Sequence, residues 1–82
     1  MTSPIKIERL KQELEKLHQE MVSGAYSHGE YDQRLARVIQ ELRERGIDAD
    51  RPQITAALGE ALEKGTITPA VKEHLEKRLG LV

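Results

Sequence analysis

Apolar side chains recur along this chain at alternating intervals of three and four. Ile7, Leu10, Leu14, Leu17 and Met21 form one heptad stripe, the narrow seam of a helix packed along its length against another. Tyr31, Leu35, Val38, Ile39 and Leu42 form a second apolar face, and Ile54, Leu58, Ala61 and Leu62 a third. Val71, Leu75 and Leu79 follow at i, i+4 and i+8. No segment alternates with period two, so the pattern predicts four helices and no strand.

The punctuation between these stripes agrees with their period. Ser3 and Pro4 read as an N-cap and first helical residue, which starts the first helix near Pro4. Ser23-Gly24 ends that helix, because glycine accepts the left-handed conformation of a helix C-terminus. Ser27, with Glu30 three residues on, reads as a capping box opening the second helix, which runs to about Arg45. Gly46-Ile47 supplies its glycine stop and an apolar residue to pack back on the last turn. Asp50 caps the third helix with Pro52 in its first turn, and Gly65 closes it. Thr68-Pro69 repeats the signal for the fourth, which Gly80 ends. Short connections make antiparallel neighbours. The expected architecture is a single all-α domain of two helical hairpins, 4–45 and 53–80, with a short joint at 46–52.

The two hairpin turns echo one another. Met21-x-x-Gly24-x-Tyr26-Ser27 matches Leu62-x-x-Gly65-x-Ile67-Thr68. The likeness ends where Tyr31 would align with Lys72, which favours shared turn chemistry over duplication.

Composition narrows what these helices can do. The chain has 82 residues and neither Phe nor Trp, so Tyr26 and Tyr31 are its only aromatics. A core this small and this poor in aromatic area favours oligomerisation. Thirteen basic and fourteen acidic side chains give a net charge of -1, spread evenly over both halves. Neither the basic face of a nucleic-acid binder nor a membrane-directed cluster stands out. No apolar run reaches a membrane span or the core of a signal peptide. The opening Met reads as a natural start, and a cytoplasmic protein is the expectation.

Candidate chemistry is sparse. Without cysteine there is no disulfide, thiolate or Cys-type zinc site. His18, His28 and His74 lack the spacing of a metal motif. No catalytic residue, metal or cofactor is expected. The carboxylates fall beside cations four residues away, as in Arg9/Glu13, Lys11/Glu15 and Lys16/Glu20, which marks them as solvated helix faces. Asp48 and Asp50 stand outside helices, but D-x-D alone makes no calcium loop. Glycine-rich phosphate loops and nucleophile elbows are absent.

The segment Gly24-Ala25-Tyr26-Ser27-His28-Gly29-Glu30-Tyr31-Asp32-Gln33-Arg34, followed by Val38-Ile39 and preceded by Leu14 and Leu17, resembles the SHOCT (short C-terminal) domain. The resemblance spans roughly residues 10–40. It implies a small helical hairpin that associates with itself or a neighbouring protein, and it carries over no catalytic residue.

The expected function is therefore non-enzymatic protein–protein association, as a homodimer, an adaptor or a regulatory subunit. The expected contact residues are Leu10, Leu14, Leu17, Met21, Tyr26, Tyr31, Leu35, Val38 and Leu42, shared between the intramolecular seam and the interface. The alternative is DNA binding, with the third and fourth helices as a helix-turn-helix presenting Lys72, Lys77 and Arg78. Glu73 and Glu76 on the same helix oppose it.

Overall fold

Ile5 sets the start of the fold. In the computed structural model, which describes residues 3–27 and 29–82, Ile5–Lys6 is a two-residue strand, β1. It pairs in parallel with β2, Ile47–Asp48, in the register Ile5 to Ile47 and Lys6 to Asp48. The expectation of no strand is corrected here, and so is the start of the first helix. Helix α1 spans Ile7–Val22, with Lys6 in extended geometry as its N-cap and no side-chain cap bond. The reason is burial. Strand geometry turns alternate side chains to opposite faces, so Ile5 enters the core, 4% exposed, while Lys6 stays in solvent. The Ile5 amide donates to the Gly46 carbonyl at 2.9 Å. Ser3 caps nothing; its carbonyl accepts a 3.0 Å bond from Arg45 Nε.

Three more helices complete the chain: α2 at Glu30–Arg45, α3 at Arg51–Glu63 and α4 at Pro69–Arg78. The class is all-α with four helices, plus the small parallel pair. The C-terminus of α1 closes as a Schellman motif. Gly24, at φ +81°, donates to the Met21 carbonyl, and Ala25 donates to that of Glu20. The same two bonds recur after α3, from Gly65 to Leu62 and from Thr66 to Ala61. The echoed sequence thus makes the same turn twice.

The two turns lead into their next helices differently. Thr68 Oγ1 accepts from the Val71 amide at 3.2 Å and α4 begins at once. Ser27 does not cap α2. Gly29, in the left-handed region, is the N-cap, and Glu30 opens the helix itself. Only half of the expected box forms: the Glu30 carboxylate accepts from the Ser27 amide and hydroxyl at 3.3 and 3.1 Å. The Ser27 carbonyl takes the Glu30 amide. The intervening His28 lies outside the described residues. At α3 the box is complete, with Asp50 accepting from the Gln53 amide and Gln53 from the Asp50 amide, each at 3.0 Å.

Helix α1 packs against both α2 and α3, and α3 against α4. One apolar cluster runs through both halves. Leu10, Leu14 and Leu17 meet Leu35, Ile39 and Leu42 of α2, with Ile54 and Leu58 of α3, Ile67 of the turn and Leu75 of α4 completing it. The radius of gyration is 12.3 Å, close to the roughly 12 Å of a compact domain of this length.

The charged faces depart from the expected pairs. Arg9 does reach Glu13, at 3.8 Å, but it bonds Glu41 of α2 more closely, at 2.8 Å. Glu41 also takes Arg45 at 3.0 Å, so these charges bridge α1 and α2. Lys11 reaches across to Glu60 of α3 at 3.5 Å instead of Glu15. Glu20 accepts the Tyr26 hydroxyl.

Candidate interaction surface

The burial pattern divides the nine expected contact residues into three groups. Leu10, Leu14, Leu17, Leu35 and Leu42 are buried in the chain's own core. These five therefore belong to the intramolecular seam, the share of the stripe that the sequence leaves unapportioned. Tyr26, Tyr31 and Val38 pack half-buried against the core edge. Met21 alone is exposed, at 43%, beside Val22 at 70%. The heptad stripe simply outruns its partner helix: the last turn of α1 carries apolar side chains beyond the end of the seam.

That last turn forms one wall of an ordered tip. The Tyr26 hydroxyl donates to the Glu20 carboxylate. The rings of Tyr26 and Tyr31 meet edge to face, with centroids 6.4 Å apart and planes at 62°, an arrangement worth about 0.5–1.5 kcal/mol beyond area burial. The Arg34 guanidinium lies 5.9 Å from the centre of the Tyr26 ring and pairs with Glu30 at 3.6 Å. Tyr26 is therefore contacted from both helices, by Glu20 of α1 and by Tyr31 and Arg34 of α2.

Electrostatics fit this geometry. Loss of hydration pushes the Tyr26 phenol up to about 12, helped by its bond to Glu20 and the charge of that carboxylate. Burial also raises Tyr31, with a smaller contribution from Asp32. Glu30 is lowered, first by the Ser27 amide and then by its hydroxyl. Both phenols stay neutral at physiological pH and Glu30 stays ionised. The tip is then an apolar and aromatic surface with a charged rim.

Among the described residues no group of His, Asp and Glu could hold a metal ion. Among the described residues, likewise, no helix is long and apolar enough to cross a membrane. His18 is half-buried and His74 exposed, on different helices. On α4, Lys72 pairs with Glu76 and Lys77 with Glu73, each at 3.0 Å. Two of the three cations a helix-turn-helix would present are thus already neutralised.

Val22 was absent from the expected contact residues. Its signal lay in register: it falls one position beyond Met21, off the heptad stripe and before the stop at Ser23-Gly24. Compared with known proteins, the chain matches no family model, and neither a curated protein nor a solved structure is similar enough to count as a match.

Proposed function

We propose that this protein is a non-enzymatic association module, a small cytoplasmic adaptor or assembly subunit, whose contact surface is the α1–α2 tip. The observation that carries this reading is the exposure of Met21 and Val22 beside the immobilised Tyr26–Tyr31 pair. Pre-ordered aromatic anchors cost little conformational entropy on binding. Tyr26 and Tyr31 also belong to the segment that resembles SHOCT, which supports an association role.

Magnitude bears on the partner. Met21 and Val22 offer on the order of 200 Å², or about 5 kcal/mol at 25 cal/mol per Å². That sits at the low end of the roughly 4–15 kcal/mol that association costs. A homodimer held by the tip alone would bury this area twice, about 400 Å² and about 10 kcal/mol. That is well short of the roughly 1,200 Å² of a stable interface, so the tip calls for a different protein that touches further surface. A photo-crosslinking residue at position 22 tests this in cells, with Glu8 as the exposed polar control site. The expected result is a discrete adduct with a second protein at position 22, and none at position 8. Equal labelling at both sites, or none at 22, would overturn the proposal.

A further inference from the structure

We infer that Met21 is an oxidation site that switches the tip: a peroxide converts its thioether to a sulfoxide, which releases the partner and leaves the fold intact. The switch rests on the association reading of the tip. Thiols and thioethers are the side chains that peroxide oxidises, and exposure decides which of them react. The chain has no cysteine and two methionines, and Met1 lies outside the described residues. Among the described residues there is therefore one such sulfur. It stands in the last turn of α1, on a side chain 43% exposed and next to Val22 at 70%. The oxidisable group and the exposed apolar patch of the tip are the same place.

The step needs a peroxide as its only co-reactant. The sulfur lone pair attacks one peroxide oxygen, and an S–O bond forms as the O–O bond breaks. Hydroxide leaves and becomes water on taking the proton released by the transferred oxygen. Sulfur loses two electrons and the peroxide gains them. A reductase drawing on thiols reverses the change, so the tip can be restored without new synthesis.

Packing makes the change silent for the fold. The apolar cluster takes Leu10, Leu14 and Leu17 from α1, and Met21 belongs neither to it nor to the partly buried residues packed on it. The helix end is fixed by main-chain bonds that oxidation does not touch. The Met21 carbonyl accepts from the Gly24 amide at 3.2 Å, and the Glu20 carbonyl from the Ala25 amide at 3.0 Å. In the free chain the sulfoxide oxygen points into water and disrupts no core. A partner seated on the tip removes that water and leaves a strong acceptor against apolar surface, which is unfavourable without a donor. The Tyr26 hydroxyl, a donor on the same tip, is already committed to Glu20. Oxidation is therefore felt by the complex and not by the monomer.

Peptide mapping by mass spectrometry, on the whole chain treated with hydrogen peroxide, tests the modification. Met21 should gain one oxygen, with the thermal melt unchanged. The crosslinking residue at position 22 tests the consequence. In cells given peroxide its adduct should fall about tenfold, the factor that about 1.4 kcal/mol of lost contact carries. With Met21→Leu the adduct should survive the same treatment, which removes oxidation of the partner as the cause. Met21→Gln, whose amide oxygen imitates the sulfoxide, should lower the adduct without oxidant. No oxygen gained at Met21, a melt lowered by its oxidation, or equal peroxide sensitivity of Met21→Leu and the wild type would overturn the switch alone. An untreated chain with no adduct at position 22 would overturn the tip and the switch together, so the two failures are distinguishable.

Discussion

Replacing Ile5 with alanine tests the clasp that opens the fold. Ile5 is 4% exposed and belongs to the main apolar cluster. Truncating a buried isoleucine to alanine costs about 2–5 kcal/mol, through lost transfer energy and the cavity left behind. For a chain of 82 residues, total stability is about 4–12 kcal/mol at roughly 0.05–0.15 kcal/mol per residue. One side chain near the chain's start therefore carries a sizeable part of the whole. The melting temperature should fall by about 12–29 °C. Had the first helix begun at Pro4, Ile5 would sit on a solvated helix end and the change would be within about 0.5 kcal/mol. Urea titration followed by helical circular dichroism decides between these, with Lys6→Ala as the exposed control. The slope should be unchanged and the midpoint lowered. A loss below about 0.5 kcal/mol for Ile5→Ala would refute the clasp.

Other substitutions probe single interactions. Asp50→Ala removes the cap of α3 and should cost about 1–2 kcal/mol, whereas Asp50→Asn should restore most of it; chemical denaturation measures both. Gly46 stands at φ +79°, ψ 165°, and a Cβ added there would meet no heavy atom within 4 Å. Gly46→Ala should therefore cost about 1–3 kcal/mol from backbone torsion alone; a neutral result would show the backbone relaxing. The tyrosines give a pH signature. A phenol whose folded pKa is raised contributes stability that is complete below its unfolded value and lost as pH rises. For Tyr26 the window runs from 10.0 to about 12. Tyr26→Phe should reduce the fall in stability across it, and absorbance titration of the wild type should show no phenol ionising with an ordinary midpoint.

Much of this fold could be read in advance because its signals are local. The stripes of α1 and α2, Asp50 before Pro52, and Thr68 before Pro69 each act within one turn of helix. Ile5 was missed because its partner, Ile47, lies far along the chain, and a two-residue strand has no period to detect. Ser27 misled because its spacing to Glu30 fits a capping box, while Gly29 permits a turn that delays the helix. The leucine stripes were legible as apolar, but their allocation between core and interface was not. That depends on how α1 packs between α2 and α3, which no single stripe encodes.

The pairing of Ile5 with Ile47 also imposes an order of assembly in time. The Ser3–Arg45 bond beside it spans 42 residues, so both contacts close a long loop whose entropic cost falls steeply once the intervening chain is compact. The two helices of the first hairpin supply that compaction through contacts close in sequence. Closing the clasp is therefore least costly once they have zipped together. On the ribosome, Ile5 must wait for β2 to emerge before its strand can pair. Ile5 leaves the ribosome early and is seated late.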